Sequence, residues 1–190
     1  QCAFTDDKVA LELFDECQNR IISMALIHEK MYEAHDLSNI NLREYVNELS
    51  GNLLRSYRLN QRIELQIEVA SMKLSLDTLV PLGLLLNEMI SNSLKHAFKG
   101  RDEGLITVNL GKNDQGLFEL IVGDNGVGLP KDFTFQSANT LGMELIDTLT
   151  SQLDGKISRV DREGLFFKIE FIGLEKERLD VKQAMQNTIA

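Results

Sequence analysis

The segment "NEMISNSLKHAFKG" at residues 87–100 sets a carboxylate (Glu88), an amide (Asn92), an ammonium (Lys95) and an imidazole (His96) along an otherwise apolar stretch. On an α-helix turning about 100° per residue, Leu82, Leu86, Met89, Ile90, Ser93 and Ala97 share one side. Glu88, Asn92 and Lys95 cluster opposite them, within roughly 60° of each other, with His96 at their flank. A carboxylate and an amide oxygen suit Mg²⁺, which takes hard oxygen ligands and leaves part of its shell to phosphates. Lys95 would then serve those phosphates as a point charge. The same spacing also builds an ordinary solvated face of i,i+4 pairs, so the stripe alone leaves both readings open.

Two further clusters lie downstream. Residues 124–130 read "DNGVGLP" directly after the apolar "FELIVG". Asp124 at a strand end would accept a hydrogen bond from an exocyclic amine, and Gly126 and Gly128 allow a tight turn close to a ligand. A purely structural turn has the same composition. In "TLGMELI", Gly142 opens a helix whose free N–H groups can meet a phosphate, or simply begin a helix.

These clusters need a scaffold, and periodicity supplies one. Ala10, Phe14, Cys17, Ile21, Met24, His28 and Met31 follow steps of four and three, a heptad seam whose partner another chain or another segment must supply. Asn41 followed by Glu44 opens a second helix with Leu42, Tyr45, Val46, Leu49, Leu53 and Tyr57 on its apolar face. "RIELQIEVA" alternates as a strand. Asp77 is the expected cap of a helix over about 78–98, with Pro81 tolerated in its first turn. One hairpin turns at "GKNDQG" and a last one at Arg162–Gly164, with a helix near "LGMELIDTLTSQL" between them. Grouped helices and antiparallel strands predict an α+β fold, a two-layer sandwich with helices on one face of a mixed sheet. The expected division is a helical segment at 1–40, a catalytic domain at 41–173 and a polar tail at 174–190.

Composition narrows the function classes. The 190 residues, 43% hydrophobic and 26% charged, are enough to bury a core. A net charge of −9 opposes nucleic acid or an anionic membrane as the main partner, while leaving room for an anionic small ligand in a locally positive pocket. No apolar run reaches the length of a membrane span, so no direct membrane contact is expected. Cys2 and Cys17 are far from any CxxC arrangement and read as reduced, cytoplasmic thiols. The opening Gln suggests a fragment or processed chain.

Taken together, ExxxN-xx-KH on a helix, a strand ending in DxGxG, and a glycine at a later helix start resemble the N, G1 and G2 boxes of the Bergerat ATP-binding fold. That fold is shared by histidine kinases, gyrase, the ninety-kilodalton chaperone and mismatch-repair ATPases. The resemblance covers about residues 41–173 and is closest to sensor histidine kinases of a short-lid, HWE-like subgroup, through "PLGLLLNEMISNSLKHAFKG" and "LGMELIDTLTSQLDGKI". The stretch "CQNRIISMALIHEKMY" resembles the second helix of that subgroup's dimerisation and phosphotransfer hairpin.

The resemblance implies ATP and Mg²⁺ as cofactors, with Asn92 ligating the metal and Glu88 polarising or orienting groups at the γ-phosphate. Lys95 and His96 would reach phosphate oxygens, Asp124 the adenine amino group, and Gly126 and Gly128 the pocket rim. Leu129, Leu141, Gly142 and Met143 complete the implied ATP site, Leu129 and Met143 serving either the base or the core. Residues 130–141 would form a lid anchored by Phe133 or Phe135. The implied partners are a response regulator receiver domain and a second copy of the chain, joined through the N-terminal helix.

Three positions depart from the pattern. The phosphoacceptor histidine is missing: His28 falls on the seam as a packed or hydrogen-bonded histidine, His35 in a polar connection, and His96 on the nucleotide helix. The G2 region "NTLGM" has one glycine where fuller versions have two, and Leu165 stands where many relatives carry an adenine-binding Thr. The expected reaction is transfer of the ATP γ-phosphate to a histidine and onward to a response regulator, not autophosphorylation by this chain alone. A non-catalytic nucleotide-sensing dimerisation module and an anti-sigma-type serine kinase are the alternatives.

Overall fold

The computed structural model describes residues 8–33, 40–57, 59, 61–72, 74–128 and 140–172. Helix α1 spans Lys8–Glu33 and α2 spans Leu42–Ser56, followed by strand β1 (Arg62–Val69) and α3 (Leu76–Asn92). A π-helical turn, Ser93–Ala97, continues α3. Strands β2 (Glu103–Lys112) and β3 (Phe118–Asp124), helix α4 (Leu141–Gln152), and strands β4 (Lys156–Val160) and β5 (Leu165–Phe171) complete the order.

The strands form one sheet in the order β1-β2-β3-β5-β4, with β1 and β2 parallel and the other pairs antiparallel. Helices α2, α3 and α4 lie against it, as the α+β sandwich reading expects. Alternation sorts the strand side chains. Ile106, Val108, Leu110, Phe118, Leu120, Val122, Ile169 and Phe171 are buried toward the helices, while Glu119, Lys168 and Glu170 pair on the other face. Strand register sets Leu65, Ile106, Asp124 and Leu165 in one row across four strands. Asp124 is thus a carboxylate in a row that is otherwise apolar.

Local chemistry explains the helix starts. Asn41 caps α2 by accepting from the Glu44 N–H, as expected. Helix α3 is capped by Ser75, which accepts from the Thr78 N–H, rather than by Asp77. With the cap two residues earlier, Pro81 falls in the second turn instead of the first. The helix also does not run as α-helix to residue 98, because its last turn widens to π geometry. That turn is tied to the glycine loop: the Val127 N–H donates to the Ala97 carbonyl at 2.9 Å.

The seam residues Phe14, Cys17, Ile21, Met24 and His28 face solvent, with Ile21 65% exposed. The Met31 side chain, Cys2, His35 and the tail at 174–190 lie outside the described residues. His28 is exposed on this seam, its ring 5.0 Å from that of Tyr32. The opposite face of α1 packs on α3 and α2 through Asn19, Ser23, Leu26 and Ile27, all buried. Among the described residues, no helix is long and apolar enough to cross a membrane.

Tyr45 is enclosed where α1, α2 and α3 meet; a Cβ added at Gly83 would sit 1.9 Å from its hydroxyl and 3.0 Å from Ile27 Cδ1. Among the described residues its buried hydroxyl has no hydrogen-bond partner, and burial pushes its pKa up. Burying an unpaired hydroxyl costs stability, so Tyr45→Phe should leave the unfolding free energy unchanged or raise it by about 1 kcal/mol. Urea denaturation of the two proteins measures this.

Candidate functional site

Two adjoining cavities lie between α3, the π turn, β3 and the start of α4. The first, about 190 Å³, is mostly apolar: Met89, Ala97, Val122, Met143, Ile146, Leu165 and Phe167 surround Asn92, Ser93, His96 and Asp124, with Gly128 and Thr140 at its edge. The second, about 210 Å³, is polar and is lined by Glu16, Asn87, Glu88, Ser91, Asn92, Lys95, His96 and Thr140, together with Leu13, Leu141 and Gly142. Asn92, His96 and Thr140 border both.

Asp124 is 2% exposed. It accepts from Ser93 Oγ at 2.7 Å and from the Gly126 N–H at 3.0 Å, and the backbone of Leu165 also bonds its carboxylate. Burial pushes its pKa above the usual carboxylate value, against these hydrogen bonds and the Arg101 charge, which pull it down. A carboxylate offers about four lone-pair sites. Three donors come from the described residues, so among these residues acceptor capacity remains for a ligand N–H.

Glycine keeps this end of the site closely built. A Cβ at Gly126 would lie 2.3 Å from the Ala97 carbonyl oxygen, which explains why the G1 loop can seat directly on the helix end. Gly128 has φ +69, the left-handed turn expected of it.

At the polar end, the N-terminus of α4 faces Glu88 and Asn92. A Cβ at Gly142 would stand 3.0 Å from Glu88 Oε2 and 3.9 Å from Asn92 Oδ1. Thr140 caps α4 by accepting from the Met143 N–H. Glu88 is 5% exposed and held by two bonds from α1: Arg20 Nε donates to Oε1 at 2.7 Å and Arg20 Nη2 to Oε2 at 2.9 Å. The Asn87 side-chain amide donates to Glu88 Oε1 at 3.0 Å, and Ser23 Oγ donates to Asn87 Oδ1 at 3.0 Å. Lys95 is ion-paired with Glu16 of α1. The Arg20 pKa is raised, chiefly by its bonds to Glu88.

The donor set fits Mg²⁺ with phosphates. Glu88 and Asn92 supply hard oxygens on one wall, Gly142 marks a helix N-terminus opposite, and no group of three or more His, Cys, Asp or Glu among the described residues forms an all-protein metal site. Ser91 Oγ lines the same chamber, buried and without a hydrogen-bond partner among the described residues, so a polar occupant would satisfy it.

The structure therefore gathers Glu88, Asn92, Lys95, His96, Leu141 and Gly142 around the polar cavity and Asn92, His96, Asp124, Gly128 and Met143 around the apolar one. Gly126 supports the wall without lining either. Leu129, Phe133, Phe135 and residues 130–139 of the lid expected over 130–141 lie outside the described residues, while Thr140 and Leu141 form the cap and first residue of α4. Sequence reasoning missed Ser93, which it placed among the apolar residues, and Thr140, whose capping position before an apolar run was a usable signal. Glu16 and Arg20 carried no signal, because their partners are 79 and 68 residues away.

Comparison with known proteins gives the same outline. A family model described as Histidine kinase-, DNA gyrase B-, and HSP90-like ATPase matches residues 77–175, and one described as Histidine kinase matches residues 1–57. The chain is 27% identical over 169 residues to the sensor histidine kinase PdtaS of Mycobacterium tuberculosis, covering 85% of this chain and 32% of that protein. It is 22% identical over 149 residues to blue-light-activated histidine kinase 2 of Erythrobacter litoralis, covering 76% of this chain and 43% of that one. The histidine kinase domain of the EL346 blue-light-activated kinase from the same organism superposes with a TM-score of 0.75 at 20% identity, over 86% of this chain and 77% of that one. That likeness speaks for the fold. The chain spans about a third of the length of the PdtaS relatives it matches.

Proposed function

Because the chain belongs to the family of histidine kinase-, DNA gyrase B- and HSP90-like ATPases, we propose that it is the ATP-binding catalytic portion of a sensor histidine kinase. The observation that carries this reading is the pairing of an apolar cavity ending on Asp124 with a polar chamber ending on Glu88, Asn92, Lys95 and the start of α4. Adenine enters the first cavity, its exocyclic amine donating to Asp124 while Met143, Ile146 and Phe167 pack on its faces. The triphosphate reaches the second, where the N–H groups around Gly142 and the Lys95 ammonium receive its charge. His96, on the border of both, contacts phosphate oxygens.

Asn92, helped by Glu88, would hold Mg²⁺, which when bound neutralises charge on the β- and γ-oxygens. Glu88 orients groups at the γ-phosphate. The phosphoryl group then passes from the terminal ATP oxygen bridge to an imidazole nitrogen, releasing ADP, with catalysis coming from positioning and charge neutralisation. His96, which lines both nucleotide cavities, serves the phosphates; the accepting histidine is instead the one on the other helix of the dimerisation hairpin whose second helix α1 resembles. From it the phosphate goes to a response regulator receiver domain. The exposed apolar residues of α1, among them Leu13, Phe14, Ile21 and Met24, serve a homodimer, and the chain works in the cytoplasm.

Calorimetric titration of ATP into the chain tests the reading. Binding that strengthens with Mg²⁺ is expected, with the Mg²⁺ effect reduced about tenfold or more in Asn92→Ala, the size typical of a lost charge-assisted contact. Absence of ATP binding would overturn the proposal. In the full-length protein, labelled ATP should yield acid-labile phosphohistidine; acid-stable phosphoserine on an added substrate would point instead to a serine kinase.

A further inference from the structure

Helix α1 lies outside the ATPase sheet, yet its Glu16 lines the polar chamber and its Arg20 binds Glu88, a residue of the chamber wall. Arg20 grips both oxygens of Glu88, and Glu16 pairs with the Lys95 ammonium. Glu16 and Lys95 are each about a quarter exposed, so the pair is shielded from most solvent but not sealed. Glu16 and Glu88 give the chamber two carboxylates, which repel any further anion unless the cations change partners.

We infer that Glu16 acts as a phosphate surrogate, occupying on Lys95 the place that the triphosphate end of ATP takes, so that α1 docking and triphosphate binding oppose one another. The inference rests on the reading of the polar chamber as the triphosphate site. A carboxylate and a phosphate oxygen are interchangeable partners for an ammonium, and both need it in the same chamber. ATP entry exchanges Glu16 for phosphate on Lys95. The displaced Glu16 carboxylate keeps only Arg20, 3.6 Å away one turn along α1, and faces the like charge of the phosphates, which loosens the α1 turn that carries both residues. Arg20 consequently releases Glu88 only when the nucleotide is in place. By reciprocity, whatever detaches α1 from α3 raises affinity for ATP by the same factor.

The apolar cavity contains no α1 residue. Adenosine, which fills that cavity alone, therefore does not compete with Glu16, and this difference provides the test. In calorimetric titrations with Mg²⁺ present, Glu16→Gln should bind ATP about three- to tenfold more tightly than the native chain, the range for releasing a partly screened ion pair. Its affinity for adenosine should stay within about twofold. Asp15→Asn, which removes an exposed charge one residue away on the same helix, should leave both affinities unchanged and so controls for general electrostatics. Amide hydrogen exchange gives a second readout: ATP should speed exchange in residues 8–33 of the native chain and adenosine should not.

Unchanged or weaker ATP binding by Glu16→Gln would overturn the inference, as would an equal gain for adenosine or α1 amides that ATP protects. If neither protein binds ATP, the reading of the chamber falls and the inference with it. If the native chain binds ATP normally and Glu16→Gln shows no gain, only the role of Glu16 is lost.

Discussion

If Asp124 receives the adenine amine as proposed, Asp124→Asn should weaken ATP binding by at least about 100-fold without weakening the fold. The carboxylate is 2% exposed and already receives Ser93 Oγ, the Gly126 N–H and the Leu165 backbone, so its remaining acceptor site is the one a ligand amine must use. An amide in its place has one oxygen and one NH₂ group. If the oxygen keeps the protein donors, the NH₂ opposes the adenine amine; if it turns to the ligand, Gly126 loses its partner. Either arrangement leaves donors facing each other in a buried site. Calorimetry with ATP detects the loss, and retention of native affinity by the variant would remove Asp124 from the adenine site.

Stability should move the other way. Burial raises the Asp124 pKa above its ordinary 3.8, so the folded chain holds this proton more tightly than the unfolded chain does. Proton uptake by the folded state then makes the Asp124 contribution to stability improve as pH falls through the raised pKa, and makes it least favourable at neutral pH. Asp124→Asn removes this dependence and should match or exceed the native melting temperature at pH 7. ATP affinity should instead weaken as pH falls through the same window, because the amine prefers the ionised acceptor. A site that costs stability in order to bind is common where function requires a buried charge.

The second large effect is structural but reaches the same residue. Gly164 has φ +91, and a Cβ there would lie 1.9 Å from the Asp124 carbonyl oxygen and 2.9 Å from Asn125 Cα. Backbone, not a flexible side chain, stands in the way. Gly164→Ala must therefore shift either the β4–β5 turn or the end of β3, at a cost of about 3 kcal/mol or more, equivalent to roughly 10 °C in melting temperature. Gly116→Ala is the control, since Gly116 has φ +77 but nothing within 4 Å of the added Cβ. It should cost only about 1 kcal/mol, the left-handed penalty alone. Differential scanning calorimetry separates the two, and equal losses would show that close packing at Gly164 contributes nothing. ATP binding by Gly164→Ala should also fall, because Leu165 and Asp124 are register partners.

Much of this protein was legible along the chain. Alternation in "RIELQIEV" and "LFFKIEF" reports a strand because side chains two apart share a face, and both segments are strands here. Asn41 announces its helix because a cap acts within three residues. Glu88, Asn92 and Lys95 share one chamber because residues three and four apart on a helix are neighbours. Each of these signals is local. The same reasoning chose Asp77 over Ser75 as a cap, since both residue types cap well and only the course of the chain before α3 separates them.

Contacts across long sequence distances were decided by tertiary structure alone. The heptad seam of α1 is visible because it is apolar, but that face looks outward; the face that docks on α3 is largely polar, through Glu16, Asn19, Arg20 and Ser23, and hydropathy does not register it. Ser93 was assigned to the apolar side, and only the packing of the π turn against β3 turns it into the donor that orients Asp124. Periodicity reports which residues share a face. What that face meets depends on where distant elements come to rest, and that is why Glu88 and Lys95 find their partners on α1 only in the folded molecule.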